Sequence, residues 1–550
     1  MTLVMLIAVV GLFSCNNQSQ PADEMQKEVE SKYKLADSAY YFDFYAEVEL
    51  KADISQLTDN QKEVLRNMLK AAKLMNDIFW KEAYGNKEEL LSGIANPKLR
   101  RFADINYGPW DRLNNNAPYL EGFDEKPKGA NFYPHDMTKE EFDTLADPNK
   151  KSLYTVIRRD ESGNLVVVWY HEAFKEEIEA AAGYLKKAAE FADNEGLKKY
   201  LLLRAEALLT DKYQPSDLAW MDMKTSDIDF VVGPIENYED HLFSHKAAHE
   251  SFILLKDKEW SQRLVKFTKF LPQMQRELPV DAKYKKETPG SDVDLNAYDV
   301  IYYAGDCNAG SKTIAINLPN DPEVQLNKGS RKLQLKNAMR AKFDKILVPI
   351  SNVLIAEDQR QYISFDAFFA NTMFHEIAHG MGVKKVITNP DLTCRIALKD
   401  QFSALEEGKA DILGLYLVTK LNNMGELTNN LKENYITFMA SIFRSIRFGA
   451  SSAHGKANMI RFNYFLERGA FTRNQDGTYS VDFEKMQEAS TELTQAILKI
   501  QGDGDYVVAK AFVDKYSVVG DQLKSDLARL DSENIPKDIY FLQGAEVLGL

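Results

Sequence analysis

An α+β fold of two lobes is what this sequence predicts, and three observations carry the prediction. At 550 residues the chain is too long to wrap one simple hydrophobic core. Its runs of β-branched and aromatic residues, separated by turn signals, fall between residues 152 and 317. Beyond Val348 the apolar residues recur at helical spacing. The expected architecture is a mixed lobe with a small β-rich core (residues 31–256 and 301–345) and a mainly helical lobe (257–300 and 346–550), separated by a wide cleft.

Along the chain, residues 1–15 form an apolar run too short to span a bilayer, ending Ser14-Cys15. This pattern is similar to a lipoprotein signal, with lipid expected on Cys15 and residues 16–30 as a polar tether. The expected location is the bacterial cell envelope, anchored through that lipid alone; an unprocessed N-terminus would mean the cytoplasm. A net charge of −14 without any basic run argues against nucleic acid and anionic membrane surfaces as partners. Cys307 and Cys394 are too far apart for a metal motif and too few for a disulfide framework. Both read as core residues, with a bridge between them left open.

Helices are expected over Glu24–Tyr40 and Thr58–Tyr84, then an irregular connection rich in Pro, Gly and Asn from Asn106 to Tyr133. Ser152–Ile157 and Leu165–Tyr170 flank Glu161-Ser-Gly-Asn164 as a hairpin, followed by helices near 171–192 and 196–209 and a strand at Ile228–Val232. His245 and His249 stand four apart, but no glutamate follows the first and no acidic helix answers them, so they read as an exposed helix start. Strands follow at Asp299–Tyr303 and Thr313–Asn317. The later helices are Phe365–Met381, Leu405–Lys420, Tyr435–Arg447 and Ala457–Arg468, with His454 in a loop before the last and a small hairpin at Gln475-Asp-Gly477.

The chemistry concentrates in Asn371-Thr-Met-Phe-His-Glu-Ile-Ala-His-Gly-Met-Gly382. On a helix His375 and His379 lie one turn apart on one face with Glu376 beside them, the arrangement of a catalytic zinc site. Two neutral imidazoles hold the ion, a third ligand comes from elsewhere, and the glutamate deprotonates a water in the open position. Downstream, Leu405-Glu-Glu-Gly-Lys-Ala-Asp411 runs into the apolar stretch Ile412–Val418. A buried helix there makes unpaired carboxylates costly, so Glu407 is the candidate third ligand. Asp411 is the candidate to accept the free N–H of a ligating histidine, with Glu406 placed beside it around the ligands.

HEIAHG followed by EEGKAD resembles the zinc peptidases of the dipeptidyl-peptidase III family, M49. Three further stretches match in order: Pro234-Ile-Glu-Asn-Tyr-Glu-Asp240, Ile316-Asn-Leu-Pro-Asn320, and Ala453-His454 with Leu466-Glu467 beyond it. The resemblance implies one zinc per chain, Tyr238 and His454 as catalytic groups beside Glu376, and Glu236, Asn317 and Asn320 as the receptor for a peptide N-terminus. It implies short peptides as substrates and dipeptides as products. The chain departs from the family in its five-residue zinc motif, where typical members have six, in Lys409 for a usual arginine, and in Asp240-His241 for a usual Asp-Pro. Two other functions remain open: a zinc hydrolase of a non-peptide amide or ester, and a catalytically silent zinc-stabilised binding protein.

Overall fold

The computed structural model describes residues 31–287, 289, 294–427 and 430–550. The signal and tether expected over residues 1–30, Cys15 included, lie outside them. Among the described residues no helix is long and apolar enough to cross a membrane.

The strand β1 (Tyr45–Glu49) is followed by α1 (Asp59–Ala83), which Thr58 opens with a capping box shared with Gln61. α1 packs on α2 (Lys175–Phe191), which packs on α3 (Glu195–Thr210). The expected hairpin is present as Thr155–Arg159 paired with Leu165–Trp169. These helices cover a five-stranded sheet built from β2 (Ile228–Glu236), β3 (Ala248–Asp257), β4 (Asp294–Gly305), β5 (Ala315–Leu318) and β6 (Arg331–Leu335). The spatial order is β2-β3-β4-β6-β5, antiparallel except for β4 with β6. β5 therefore forms an edge, its far side unpaired among the described residues.

Asp229 ties this sheet to its cover. Its carboxylate accepts from Trp220 Nε1 at 2.7 Å, Arg331 Nη2 at 2.7 Å and Tyr298 OH at 3.2 Å, all buried. Arg331 begins β6, so the bond also sets the register that places Lys332 opposite Asn317.

The second half is helical: α4 (Phe365–Ala378), α5 (Phe402–Asn423), α6 (Leu431–Ile446), α7 (Ala453–Glu467) and α8 (Phe483–Asp503). The strand β7 (Asp538–Leu542) then returns to pair in parallel with β1, Tyr45 opposite Asp538, and Gln543 exchanges hydrogen bonds with the backbone of Tyr303 in β4. The two-lobed α+β fold expected from the sequence is present.

Several local expectations are corrected. Residues 31–40 are irregular rather than helical. His249 lies in β3, not on an exposed helix, and is fully buried with Nδ1 2.7 Å from Glu82 of α1. The segment becomes helical only at Lys258. His454 stands on the first turn of α7, whose N-cap is Ser452. Cys307 and Cys394 are both free and buried.

Candidate metal centre and active site

α4 and α5 are buried on nearly every face, and their close approach builds the centre. It depends on Gly414: a Cβ there would stand 2.9 Å from the backbone nitrogen of His375. With no side chain in the way, the turn of α5 carrying Glu406, Glu407 and Asp411 faces the two histidines of α4.

Asp411 Oδ1 lies 2.7 Å from His375 Nδ1, and Glu406 Oε1 lies 3.1 Å from His379 Nδ1. Each carboxylate thus fixes the proton on Nδ1 and leaves Nε2 as a bare acceptor. The two Nε2 atoms face each other at 3.2 Å, and Glu407 Oε2 stands 3.4 Å from one and 3.7 Å from the other. Three acceptors pointing at one another repel unless a cation sits between them. Glu407 Oε2 is buried and makes no well-angled hydrogen bond, although His454 Nδ1 also approaches it to 3.2 Å. Among the described residues, His375, His379 and Glu407 are the one group of three such donors that can close on a single ion. Two nitrogens and one carboxylate oxygen suit zinc.

The carboxylates are held ready. Burial alone would raise Glu406, but the His379 hydrogen bond and the Lys409 ammonium, 2.7 Å away, outweigh it and hold the group at about 2. Burial likewise opposes ionisation of Glu407, and His375, His454 and His379 bring it below its usual range. Gln501 of α8 donates to Glu406 at 3.0 Å, and buried Arg461 of α7 pairs with Asp411. Lys332 of β6 donates to the backbone oxygen of Glu376, joining the sheet to the metal helix. Gln501, Arg461 and Lys332 were not found from sequence; each is a lone polar residue far along the chain from the motif it serves.

Asp411→Asn should weaken metal binding by about 10–100-fold, because the amide cannot enforce the same His375 tautomer. Competition with a chromophoric chelator measures this. Unchanged affinity would mean that Asp411 serves only to neutralise Arg461.

The other expected residues gather at the end of β2 and along β5. Glu236 ends β2; burial raises its carboxyl, and a hydrogen bond from Asn320 partly offsets that. Asn320 Nδ2 also donates to Ile235 O at 3.1 Å. Asn317 is exposed on β5. Tyr238 is 72 % exposed, and its phenol is raised first by the charge of Glu236, then by burial, Asp306, Glu250 and Glu407. It therefore keeps its proton and feels the charge of the metal centre. Two carboxyl groups missed from sequence adjoin Glu236. Glu250 of β3 is raised well above its usual range by burial, Asp306 and Glu236. Asp306 is raised to about 7, chiefly by burial and Glu239. Such crowding favours a cation. His375, Glu376 and His454 line one cavity of about 590 Å³.

The profile of Peptidase family M49 matches residues 138–392. A protein of Arabidopsis thaliana named Nudix hydrolase 3 is 35% identical over 561 residues, covering 90% of this chain and 72% of that protein. Dipeptidyl peptidase 3 of Mus musculus is 22% identical over 409 residues, covering 62% of this chain and 54% of its own length. Among solved structures, DPP III from Caldithrix abyssi superposes with a TM-score of 0.87 at 42% identity, covering 91% of this chain and 98% of that one. Dipeptidyl-peptidase III from Corallococcus sp. strain EGB gives 0.76 at 36%, covering 90% and 95%. With this architecture, this donor set and these relatives, the chain belongs to peptidase family M49, the dipeptidyl-peptidase III family of metallopeptidases.

Proposed function

We propose that this metallopeptidase holds one zinc ion on His375, His379 and Glu407 and releases dipeptides from the free N-termini of short peptides. The observation that carries the reading is the meeting of two imidazole nitrogens and one carboxylate oxygen at the joint of α4 and α5, with Asp411 and Glu406 on the far nitrogens of the two rings. Zinc, when bound, supplies Lewis acidity to the scissile carbonyl and the attacking water. Glu376 accepts the proton of that water and returns it to the leaving amine. Tyr238, its proton held on by neighbouring carboxylates, donates to the developing oxyanion, and His454 stabilises the same charge.

The free edge of β5 accepts the peptide as an added strand. Glu236, with Asn317 and Asn320, receives its ammonium group, and a cation there relieves the crowding that raises Glu250 and Asp306. Capture of the terminus at a fixed distance from the metal then sets how many residues are released.

The test is cleavage of short peptides with free and acetylated N-termini by the zinc-loaded protein, with products identified by mass. Dipeptides should appear only from the free peptide. Glu236→Gln should raise KM about tenfold or more, as expected for loss of a charge-assisted bond to the ammonium. Equal cleavage of both peptides would remove the terminus from the recognition; cleavage of neither, with zinc bound, would point to a non-peptide amide or ester.

A further inference from the structure

The cavity that holds His375 and Glu376 does not stop at the metal centre. It continues along Ser311–Ala315, the chain leading into β5, to an end lined by Lys312, Lys342 and Arg444. All three cations feel one carboxylate, Asp538 of β7. Lys342 is paired with it at 3.1 Å and also donates to Ser311 Oγ at 3.2 Å. Lys312 is buried, donates to the backbone oxygen of Asn308, and is lowered to about 8, chiefly by burial. Arg444, on α6, packs its guanidinium over Phe368, with Cζ 5.9 Å from the ring centroid. Its Nε is buried without a hydrogen-bond partner, and no carboxylate pairs with it among the described residues. One carboxylate shared among three buried or half-buried cations leaves positive charge uncompensated, and a bound anion would offset it.

The position of this end fixes which anion fits. Asn317 and Lys312 are five residues apart along the chain that forms the cleft wall, at most about 17 Å at about 3.4 Å per extended residue. A peptide added to β5 with its ammonium at Glu236 and Asn320 runs antiparallel to that strand. After four or five residues it arrives at the three cations. We infer that Lys312, Lys342 and Arg444 are the receptor for the C-terminal carboxylate of the substrate, an assignment that rests on the dipeptidyl-peptidase reading above. The cleft would then read both ends of a peptide, ammonium at one and carboxylate at the other, and so select short oligopeptides over protein chains.

The test is calorimetric binding to the full-length, zinc-loaded Glu376→Ala protein, which separates binding from turnover. A pentapeptide with a free N-terminus is compared as its free acid and as its C-terminal amide. The acid should bind about tenfold more tightly. Adding Arg444→Gln should bring the ratio close to one, and Lys312→Gln should also reduce it, so the result does not depend on one variant's folding. An amidated pentapeptide ending in Glu separates the two sources of carboxylate. It should bind as the plain amide does; binding as tight as the acid's would assign the site to an acidic side chain and overturn the terminal assignment. Equal binding of acid and amide would overturn the inference while leaving dipeptide release intact. Binding of neither peptide would remove the peptide reading itself.

Discussion

Replacing Glu376 by alanine is expected to lower kcat/KM about a thousandfold, within the range that a positioned general base contributes. Zinc content should stay at about one per chain, because the three proposed ligands and their carboxylate partners are all other residues. The loss should appear in kcat, since the proposed role of Glu376 is on water in the reaction rather than on the bound peptide. Zinc stoichiometry by atomic emission and steady-state kinetics on one preparation decide the matter. A variant that loses its metal would make Glu376 structural. One that keeps more than about a tenth of the activity would require another base.

Asp229→Ala is expected to cost about 3–5 kcal/mol of stability, the penalty for breaking a buried charge network by removing one partner. The aspartate accepts from Trp220, Tyr298 and Arg331, and its loss strands the buried guanidinium of Arg331. The urea midpoint should fall accordingly. KM should rise as well, since Arg331 opens the strand that carries Lys332 opposite Asn317. A loss below about 1 kcal/mol, no more than one ordinary hydrogen bond, would show that Asp294, 3.3 Å from Arg331 Nε, can take over.

The clustering of the candidate metal ligands was legible because it is local. The i, i+4 spacing of His375 and His379, and the adjacent pair Glu406-Glu407 before an apolar run, encode their geometry within single helices. Residues whose meaning lies in a distant partner were not legible. His249 read as exposed because the glutamate that receives it, Glu82, lies 167 residues earlier, where no local spacing points to it. Arg331-Lys-Leu-Gln-Leu335 escaped as a strand because its two charges mask the alternation; Arg331 turns inward to Asp229, and Lys332 reaches Glu376. His454 read as a loop residue because Gly, Ala and Ser carry little periodic signal, although Ser452 is a good N-cap. Lys312, Lys342 and Arg444 are basic residues spread over more than a hundred positions, and only the fold brings them to one cavity.

The parallel pairing of β1 with β7 also bears on how the protein is made. The contact between Glu47 and Tyr540 closes a loop of 493 residues. At about 5–20 residues per second, a ribosome needs about 25–100 s between the two strands. Through that interval Tyr45–Glu49 is a strand without its partner, and Glu47 and Glu49 place charge along it, a feature that discourages pairing with other chains. Synthesis from the first strand to the last therefore ends with the segment that latches the helical half onto the sheet. A chain stopped before Asp538 would also release the carboxylate shared by Lys312, Lys342 and Arg444. Nascent chains should accordingly become resistant to protease in this region only after residue 542 has left the exit tunnel.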